Sequence, residues 1–323
     1  MTVKWGILST AKINDLFLAG VRESPAVDVV VVASRDRARA ESYAREHGIQ
    51  RAHGSYEDLL ADPEIDVVYN PLPNSMHVEW SVRALKAGKH VLCEKPLSRR
   101  LTEVERAFDN AERQGRLLME AFMYRHNPQT RRLSELVVEG AIGRLRLVRA
   151  AFSFAAHDPA NIRLSAGLDG GALMDVGCYC VSGARLIAGE PQRVSAEQVL
   201  GGDGVDVAFA ATMRFNDDVL GHFDAGLALA ARDELEVVGE DGSLFLDDPW
   251  HCRTPLIELR RDGEVERIEI EAADSYRLEA ENLSAAIRGD ASPLLGREDA
   301  AGQARAIEAL YQAADSGNSV RLT

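Results

Sequence analysis

Residues 91–97 read Val91-Leu92-Cys93-Glu94-Lys95-Pro96-Leu97. The apolar start reads as a buried strand, and the run then stops on a charged pair locked by a proline. A lysine at the carboxyl end of a strand is well placed for chemistry, because open α/β sheets bind ligands beyond those ends. Desolvation there favours the neutral amine that an acid–base catalyst uses. The same residues also suit a strand that merely ends in two solvated charges. The flanking sequence decides between the two.

Upstream and downstream, strands alternate with helices of about ten residues. Residues 3–8, 27–33, 66–70, 90–93 and 117–121 read as strands, and 27–33 is apolar on both faces, as parallel sheets require. Residues 13–23, 36–47, 55–61, 75–87 and 101–114 carry helical periodicity, and Gly88 closes the fourth of these helices. Such alternation specifies an α/β fold with a doubly wound parallel sheet of Rossmann type over residues 1–123.

Dinucleotides bind such sheets at the first strand–helix turn. Here that turn is glycine-poor and reads Ser9-Thr10-Ala11-Lys12-Ile13-Asn14. Ser and Ala are small enough for a pyrophosphate to approach, and Ser9, Thr10 and Lys12 offer hydrogen bonds or charge. The second strand ends in Ser34-Arg35, with Arg37 and Arg39 behind, where an NAD-preferring fold would carry a carboxylate. Ser and Arg suit a 2′-phosphate, so NADP is expected over NAD. The loop Asn70-Pro71-Leu72-Pro73-Asn74-Ser75-Met76-His77 is stiffened by two prolines, and Ser75 is placed to cap the next helix. It suits a wall beside a flat cofactor ring or an ordinary turn.

Beyond Met123 the texture changes. Residues 143–156, 192–200, 205–215, 219–227, 233–239, 243–246, 257–260 and 265–270 read as strands, for the most part without intervening helices. They predict a second, α+β domain over 124–323, built on one large, mainly antiparallel open sheet backed by helices. Two closing helices, 276–288 and 297–316, pack on one sheet face or return to the first domain. The other face is expected to be apolar and uncovered, which points to a partner. Between the first two strands lies a helix over 172–188, entered through Gly170-Gly171. Asp175 and Tyr179, four apart near its start, share a face and form a candidate proton-handling pair. A capping Asp and a packed core Tyr are the structural alternative.

Composition narrows the rest. The chain has 323 residues, 46% apolar and 27% charged, with a formal charge of −14. That charge argues against nucleic acid or an anionic membrane as partner. The four cysteines show no metal-type or disulfide spacing, so no metal is expected. No apolar run approaches membrane-spanning length, and a strand from Val3 leaves no room for a signal peptide. A cytoplasmic protein is expected.

These motifs resemble the glucose–fructose oxidoreductase and inositol dehydrogenase family, Gfo/Idh/MocA. The resemblance rests on Trp5-Gly6-Ile7-Leu8-Ser9-Thr10-Ala11, on Pro71-Leu72-Pro73-Asn74 with His77, and on Glu94-Lys95-Pro96. It continues through Met123-Tyr124-Arg125, Asn127-Pro128 and Gly170-Gly171-Ala172-Leu173-Met174-Asp175-Val176-Gly177-Cys178-Tyr179. Within the family the chain is most similar to dihydrodiol dehydrogenases, NADP-dependent aldose 1-dehydrogenases and sugar ketoreductases. The departure is Ser9, Ala11 and Asn14 in place of glycines.

The resemblance implies that Ser9, Thr10, Ala11, Lys12, Ile13, Ser34, Arg35, Arg39, Pro71, Leu72, Asn74, His77, Glu94 and Lys95 bind NADP. It makes Lys95, Asp175 and Tyr179 the catalytic set, with Arg125 on the substrate side and His126 as a further candidate there. A sugar or diol hydroxyl would then lie between Lys95 and Tyr179. Tyr179 would take its proton with help from the lysine's charge, and Asp175 would orient Lys95 or a neighbouring hydroxyl. Lys95 itself as the base stays open. The expected activity is hydride transfer between NADP and a sugar or cyclic diol carbon, as in aldose 1-dehydrogenases. A keto-sugar reductase, possibly nucleotide-linked, and a non-catalytic NADP-binding regulator are the alternatives. A homo-oligomer formed through the large sheet is also implied.

Overall fold

The computed structural model describes residues 2–322. The chain up to Met123 forms one compact unit together with Asp274–Ala301, and Tyr124–Ala273 forms a second with the chain from Gly302 onward. A second domain covering all of 124–323 therefore needs correction, because 274–301 groups with the first unit. The reason lies in side chains that sequence periodicity does not reveal. Trp5 Nε1 donates to Ser284 Oγ at 3.3 Å, and Ser24 Oγ donates to Glu281 at 2.7 Å. A Cβ at Gly20 would lie 2.4 Å from Asp274 Oδ1, so only glycine permits this approach.

The first unit holds a six-stranded sheet of β1 (Val3–Leu8), β2 (Val27–Ala33), β3 (Arg51–His53), β4 (Val67–Asn70), β5 (His90–Glu94) and β6 (Leu118–Ala121). The order is β3-β2-β1-β4-β5-β6, and every pair is parallel. Strand order reverses between β1 and β4, and a crevice at such a switch point is where this architecture binds nucleotides. Connecting helices are α1 (Asn14–Val21), α2 (Arg37–His47), α3 (Tyr56–Ala61), α4 (His77–Lys86) and α5 (Leu101–Gln114). Strand β3 was not expected, since Arg-Ala-His has no apolar run. It is pinned instead by buried Asp62, which accepts from Arg51 at 2.5 Å and lies 3.0 Å from His53 Nε2. Ser75 does not cap α4; it lies inside a 3₁₀ turn, Asn74–Met76, and α4 has no side-chain cap.

In the second unit, α6 (Pro128–Val138) was also missed, although Asn127 caps it and Pro128 occupies its first position. Then come β7 (Leu145–Ala155), a π-helical turn Leu173–Gly177 and α7 (Cys178–Ala188). Strands β8 (Arg193–Leu200), β9 (Asp206–Arg214), β10 (Leu220–Gly226), β11 (Ala228–Gly239), β12 (Ser243–Asp247), β13 (Leu256–Arg261) and β14 (Glu264–Glu269) follow. After α8 (Ser275–Arg288), which belongs to the first unit, come α9 (Arg297–Ser316) and a short β15 (Val320–Arg321). The nine strands run β14-β13-β12-β11-β7-β10-β9-β8-β15, antiparallel except for β7 with β10.

One face of this sheet buries Val148, Ala150, Phe209, Phe223, Leu235 and Val237. The opposite face is not the apolar surface expected. Arg149 bonds Glu236 at 2.7 Å, Arg146 bonds Glu240, and Arg260 lies 4.1 Å over the Phe245 ring. This face holds a concavity of about 540 Å³ lined by Ser195, Glu197, Thr212, His222, Asp224 and Asn318. No helix among the described residues is long and apolar enough to cross a membrane.

Candidate active site

At the end of β1, Ser9 takes φ +76°, a left-handed conformation that usually selects glycine. The glycine-poor turn achieves by hydrogen bonding what glycine permits by default. Fully buried Asn14 donates from Nδ2 to the Ser9 carbonyl at 3.0 Å, and Ser9 N donates to Ala33 O at 2.9 Å. The Ser9 hydroxyl oxygen is buried and has no protein partner. Helix α1 begins without a side-chain cap, and its first N–H groups close the turn on themselves: Asn14, Asp15 and Leu16 N donate to Ala11, Lys12 and Ile13 O at 3.1, 3.2 and 3.1 Å. An orphaned hydroxyl in a tight turn of small residues at the end of β1 fits a pyrophosphate.

At the end of β2, Ser34 is buried and its Oγ accepts from Asp36 N at 3.3 Å. Asp36 is the nearest carboxylate, but it caps α2 by accepting from Arg39 N. Arg37 pairs with Glu41, whereas Arg35 and Arg39 make no ion pair among the described residues. An uncompensated basic pair at this point fits a phosphate on the ribose.

The end of β4 is organised by buried Asn70. It donates to His77 O at 3.0 Å and Ser81 Oγ at 3.1 Å, and accepts from Leu72 N at 3.3 Å. Pro71 and Leu72 are buried and Asn74 is half-buried. His77 is buried. Its Nδ1 lies 2.8 Å from Pro96 O and its Nε2 2.6 Å from Leu72 O, so both nitrogens serve the backbone. It braces the two loops that carry Leu72 and Pro96. Burial, with a smaller push from Lys95, lowers its pKa to about 4.

Lys95 is half-buried just past β5. Glu94 before it is fixed by Tyr69, whose hydroxyl donates to Oε1 at 2.6 Å, and Leu97 N donates to buried Glu120 at 2.7 Å. Tyr69 stacks on Phe17 with ring centroids 4.2 Å apart. From α8, Glu279 brings a fully buried carboxyl with no hydrogen-bond partner, and burial together with the charge of Glu94 raises its pKa well above normal. Neither Tyr69 nor Glu279 was anticipated, since each looks in sequence like an ordinary strand or helix residue.

In the second unit, Asp175 sits in the π-helical turn and Tyr179 in the first turn of α7. Gly171 takes φ +122°, and a Cβ there would lie 2.2 Å from Asp206 Oδ1. Buried Asp206 accepts from Leu173 N at 2.6 Å and from the Tyr311 hydroxyl at 2.9 Å, anchoring the helix entrance. A Cβ on Gly170 would meet the Arg163 carbonyl at 2.3 Å, and Gly171 N donates to that carbonyl at 2.8 Å. This close turn delivers Arg163, whose Nε donates to Asp175 Oδ2 at 2.6 Å. Arg163 is the functional candidate that sequence reading missed; only the paired glycines hinted that a second segment crosses there.

Tyr179 is 7% exposed and ringed by Phe152 at 5.5 Å, Tyr124 at 5.8 Å and Trp250 at 6.0 Å. Tyr124 donates to Ser182 Oγ at 2.8 Å, and half-buried Arg125 reaches the same oxygen at 3.4 Å. His126 is instead buried, and that burial lowers its pKa to about 3.

A six-stranded parallel sheet whose order reverses between β1 and β4 is the architecture of a nucleotide-binding domain. Residues 3–122 match the oxidoreductase family with NAD-binding Rossmann fold, and residues 130–245 match the GFO/IDH/MocA C-terminal domain. The chain belongs to the Gfo/Idh/MocA oxidoreductase family. It is 39% identical over 323 residues to D-xylose 1-dehydrogenase (NADP(+)) 2 of Haloferax volcanii, covering 98% of this chain and 99% of that one. It is 36% identical to trans-1,2-dihydrobenzene-1,2-diol dehydrogenase of Danio rerio, covering 80% and 78%. Among solved structures, a 3-ketoreductase from Actinomadura kijaniata in complex with NADP and TDP-benzene matches with a TM-score of 0.92. That match has 30% identity and covers 97% of this chain and 98% of that one.

Buried His77 and His126 and half-buried His90 make a pH prediction. His77 and His90 are lowered from 6.5 to about 4, and His126 to about 3, each chiefly by burial. The unfolded chain therefore binds protons that the fold does not. Their contribution is complete above about pH 6.5 and falls progressively as pH drops towards 4. Calorimetry should show Tm declining from about pH 7 to 5, with proton uptake on unfolding. A flat Tm over that range would contradict the assignment.

Proposed function

We propose that the protein is an NADP-dependent dehydrogenase that oxidises an aldose at C1, or a related cyclic diol, and reduces the carbonyl in reverse. The observation that carries this reading is Lys95, half-buried at the carboxyl end of β5 with its neighbour Glu94 fixed by Tyr69. The similarity along nearly the whole chain to an enzyme named as an NADP-dependent sugar dehydrogenase supports it.

When bound, the cofactor supplies the two-electron acceptor for a hydride from the oxidised carbon. Ser9, Thr10 and Lys12 would hold the pyrophosphate, with Ala11 and Ile13 shaping the turn. Ser34, Arg35 and Arg39 hold the 2′-phosphate, and Pro71, Leu72, Asn74 and Glu94 flank the nicotinamide end. Tyr179 or Lys95 accepts the hydroxyl proton of the substrate. Asp175, its carboxylate fixed by Arg163, orients the reacting hydroxyl, and Arg125 binds elsewhere on the substrate. In reduction the same groups return the proton. A keto-sugar reductase is the second reading, favoured by the fold match to the 3-ketoreductase.

Purified protein with NADP⁺ and D-xylose should produce NADPH, with much less NADH from NAD⁺. Lys95→Met should lower kcat by about 10²–10⁴-fold and leave NADP⁺ affinity nearly unchanged; loss of both together would make Lys95 structural. Arg35→Asp should weaken NADP⁺ binding about tenfold or more while sparing NAD⁺. Equal loss would refute the phosphate assignment. If aldoses and diols are all silent while NADP⁺ still raises Tm, the keto-sugar reductase or a non-catalytic regulator replaces this reading.

We also propose that two copies pair through the open face of the nine-stranded sheet. Leu220, 47% exposed there opposite Leu147, supports this. Light scattering should give twice the 35.3 kDa chain mass; the mass of one chain would contradict it.

A further inference from the structure

Residues 248–253 form a loop after β12 that the catalytic reading leaves unused. Asp248 and Cys252 there take φ +69° and +55°, conformations that L side chains rarely adopt. The loop is held in place from several sides. Asp248 accepts from Arg253 N at 2.7 Å and from its guanidinium at 2.9 and 3.1 Å, while Trp250 N donates to Asp233 Oδ1 at 3.3 Å. Trp250 Nε1 donates to Ala151 O at 3.3 Å. The indole fills a slot that Gly183 leaves open, since a Cβ there would lie 2.8 Å from the ring. Gly183 is four residues beyond Tyr179 on α7, so the loop is seated on the helix face that carries the phenol.

Between these anchors stands His251. Its Nδ1 lies 2.6 Å from Asp233 Oδ2 and 3.2 Å from Asp248 Oδ1. The two carboxylates lie closer to Nδ1 than its third neighbour, Arg253 Nη2 at 3.4 Å, so Nδ1 is assigned the proton and donates it. Nε2 has no partner among the described residues, and the side chain is 34% exposed. Asp233, Asp248 and His251 converge as metal ligands do, within 4.8 Å. The cation beside them, however, is the guanidinium of Arg253, which already engages both oxygens of Asp248. The fixed ring meets Phe152 edge-on with centroids 5.4 Å apart, and Phe152 meets Tyr179 edge-on at 5.5 Å. One ring therefore separates the imidazole from the phenol, in surroundings otherwise made of Phe152, Tyr124 and Trp250.

We infer that His251 is a specificity-determining residue, whose Nε2 hydrogen-bonds a hydroxyl remote from the reacting carbon and selects polyhydroxylated sugars over diols on apolar rings. This rests on the dehydrogenase reading above. A site built to pair with a substrate hydroxyl discriminates strongly against analogues that lack it, because its own polar group is then left unpaired. Asp233 acts through His251 by fixing its tautomer and ring orientation.

The test compares kcat/KM of wild type and His251→Phe for D-xylose and for a trans-dihydrodiol. The aldose value should fall about 10- to 100-fold, mainly through KM, while the diol value holds or rises. NADP⁺ affinity should stay the same, Tm should fall by a few degrees because Asp233 loses its Nδ1–H donor, and His251→Gln should restore part of the aldose activity. Equal loss on both substrates, or no loss on the aldose, overturns the inference and leaves the dehydrogenase reading standing. If wild type turns over neither substrate, that reading falls and His251 is tested by binding. Its Nε2 nitrogen resonance in the NADP⁺-loaded protein should shift on titration with D-xylose, and an unmoved resonance overturns the inference.

Discussion

The hydrogen bond from Tyr69 to Glu94 is the constraint on which the first unit's chemistry depends. A parallel strand can present a side chain for reaction only where pairing stops, and the residue just inside that limit must be immobile. In β5 the last paired residue is Glu94, opposite Ala121 of β6. Its carboxylate is gripped by a phenol from the neighbouring strand, and that phenol is stacked on Phe17 of α1. The next residue is Lys95. Leu97 N on Glu120 and His77 on Pro96 O tie the chain down again beyond it. The lysine is thus held by ties on both sides, all within β4, β5, β6 and α4.

The second unit solves the same problem with buried charge instead of a strand end. Asp206 receives Leu173 N and Tyr311 and so fixes where the helix begins. A buried carboxylate at a helix start is stabilised by the N–H groups it caps. Gly170 and Gly171 then admit the segment that carries Arg163, and the guanidinium holds Asp175. Tyr179 follows within an aromatic cage whose members are locked by Ser182, Ala151 and the slot at Gly183. A proton-transfer group gains from such rigidity, since misplacement of a reacting group costs rate steeply.

Most of the fold was legible because burial on both sheet faces writes itself as apolar runs. Five of the six parallel strands and all the antiparallel strands but β15 announced themselves that way. Strand β3 and β15 did not, since an edge strand of two or three residues needs no apolar side chain. Helix α6 was overlooked although its Asn-Pro start is a readable signal. Lys95, Asp175 and Tyr179 could be proposed from sequence because their spacing to Pro96 and to the paired glycines is local. Arg163 and Asp206 could not, because their roles are contacts across the fold. The motif of His77 places it near the cofactor loop, and its two backbone partners add a bracing role that no motif shows.

The most direct test of hydride transfer is isotopic. D-xylose carrying deuterium at C1 is incubated with the protein and NADP⁺, and the cofactor is recovered for mass spectrometry and NMR. Deuterium at C4 of the nicotinamide in NADPH is the expected result, with far less in the same time when Lys95→Met replaces wild type. Unlabelled NADPH, or no NADPH at all, would contradict an aldose dehydrogenase.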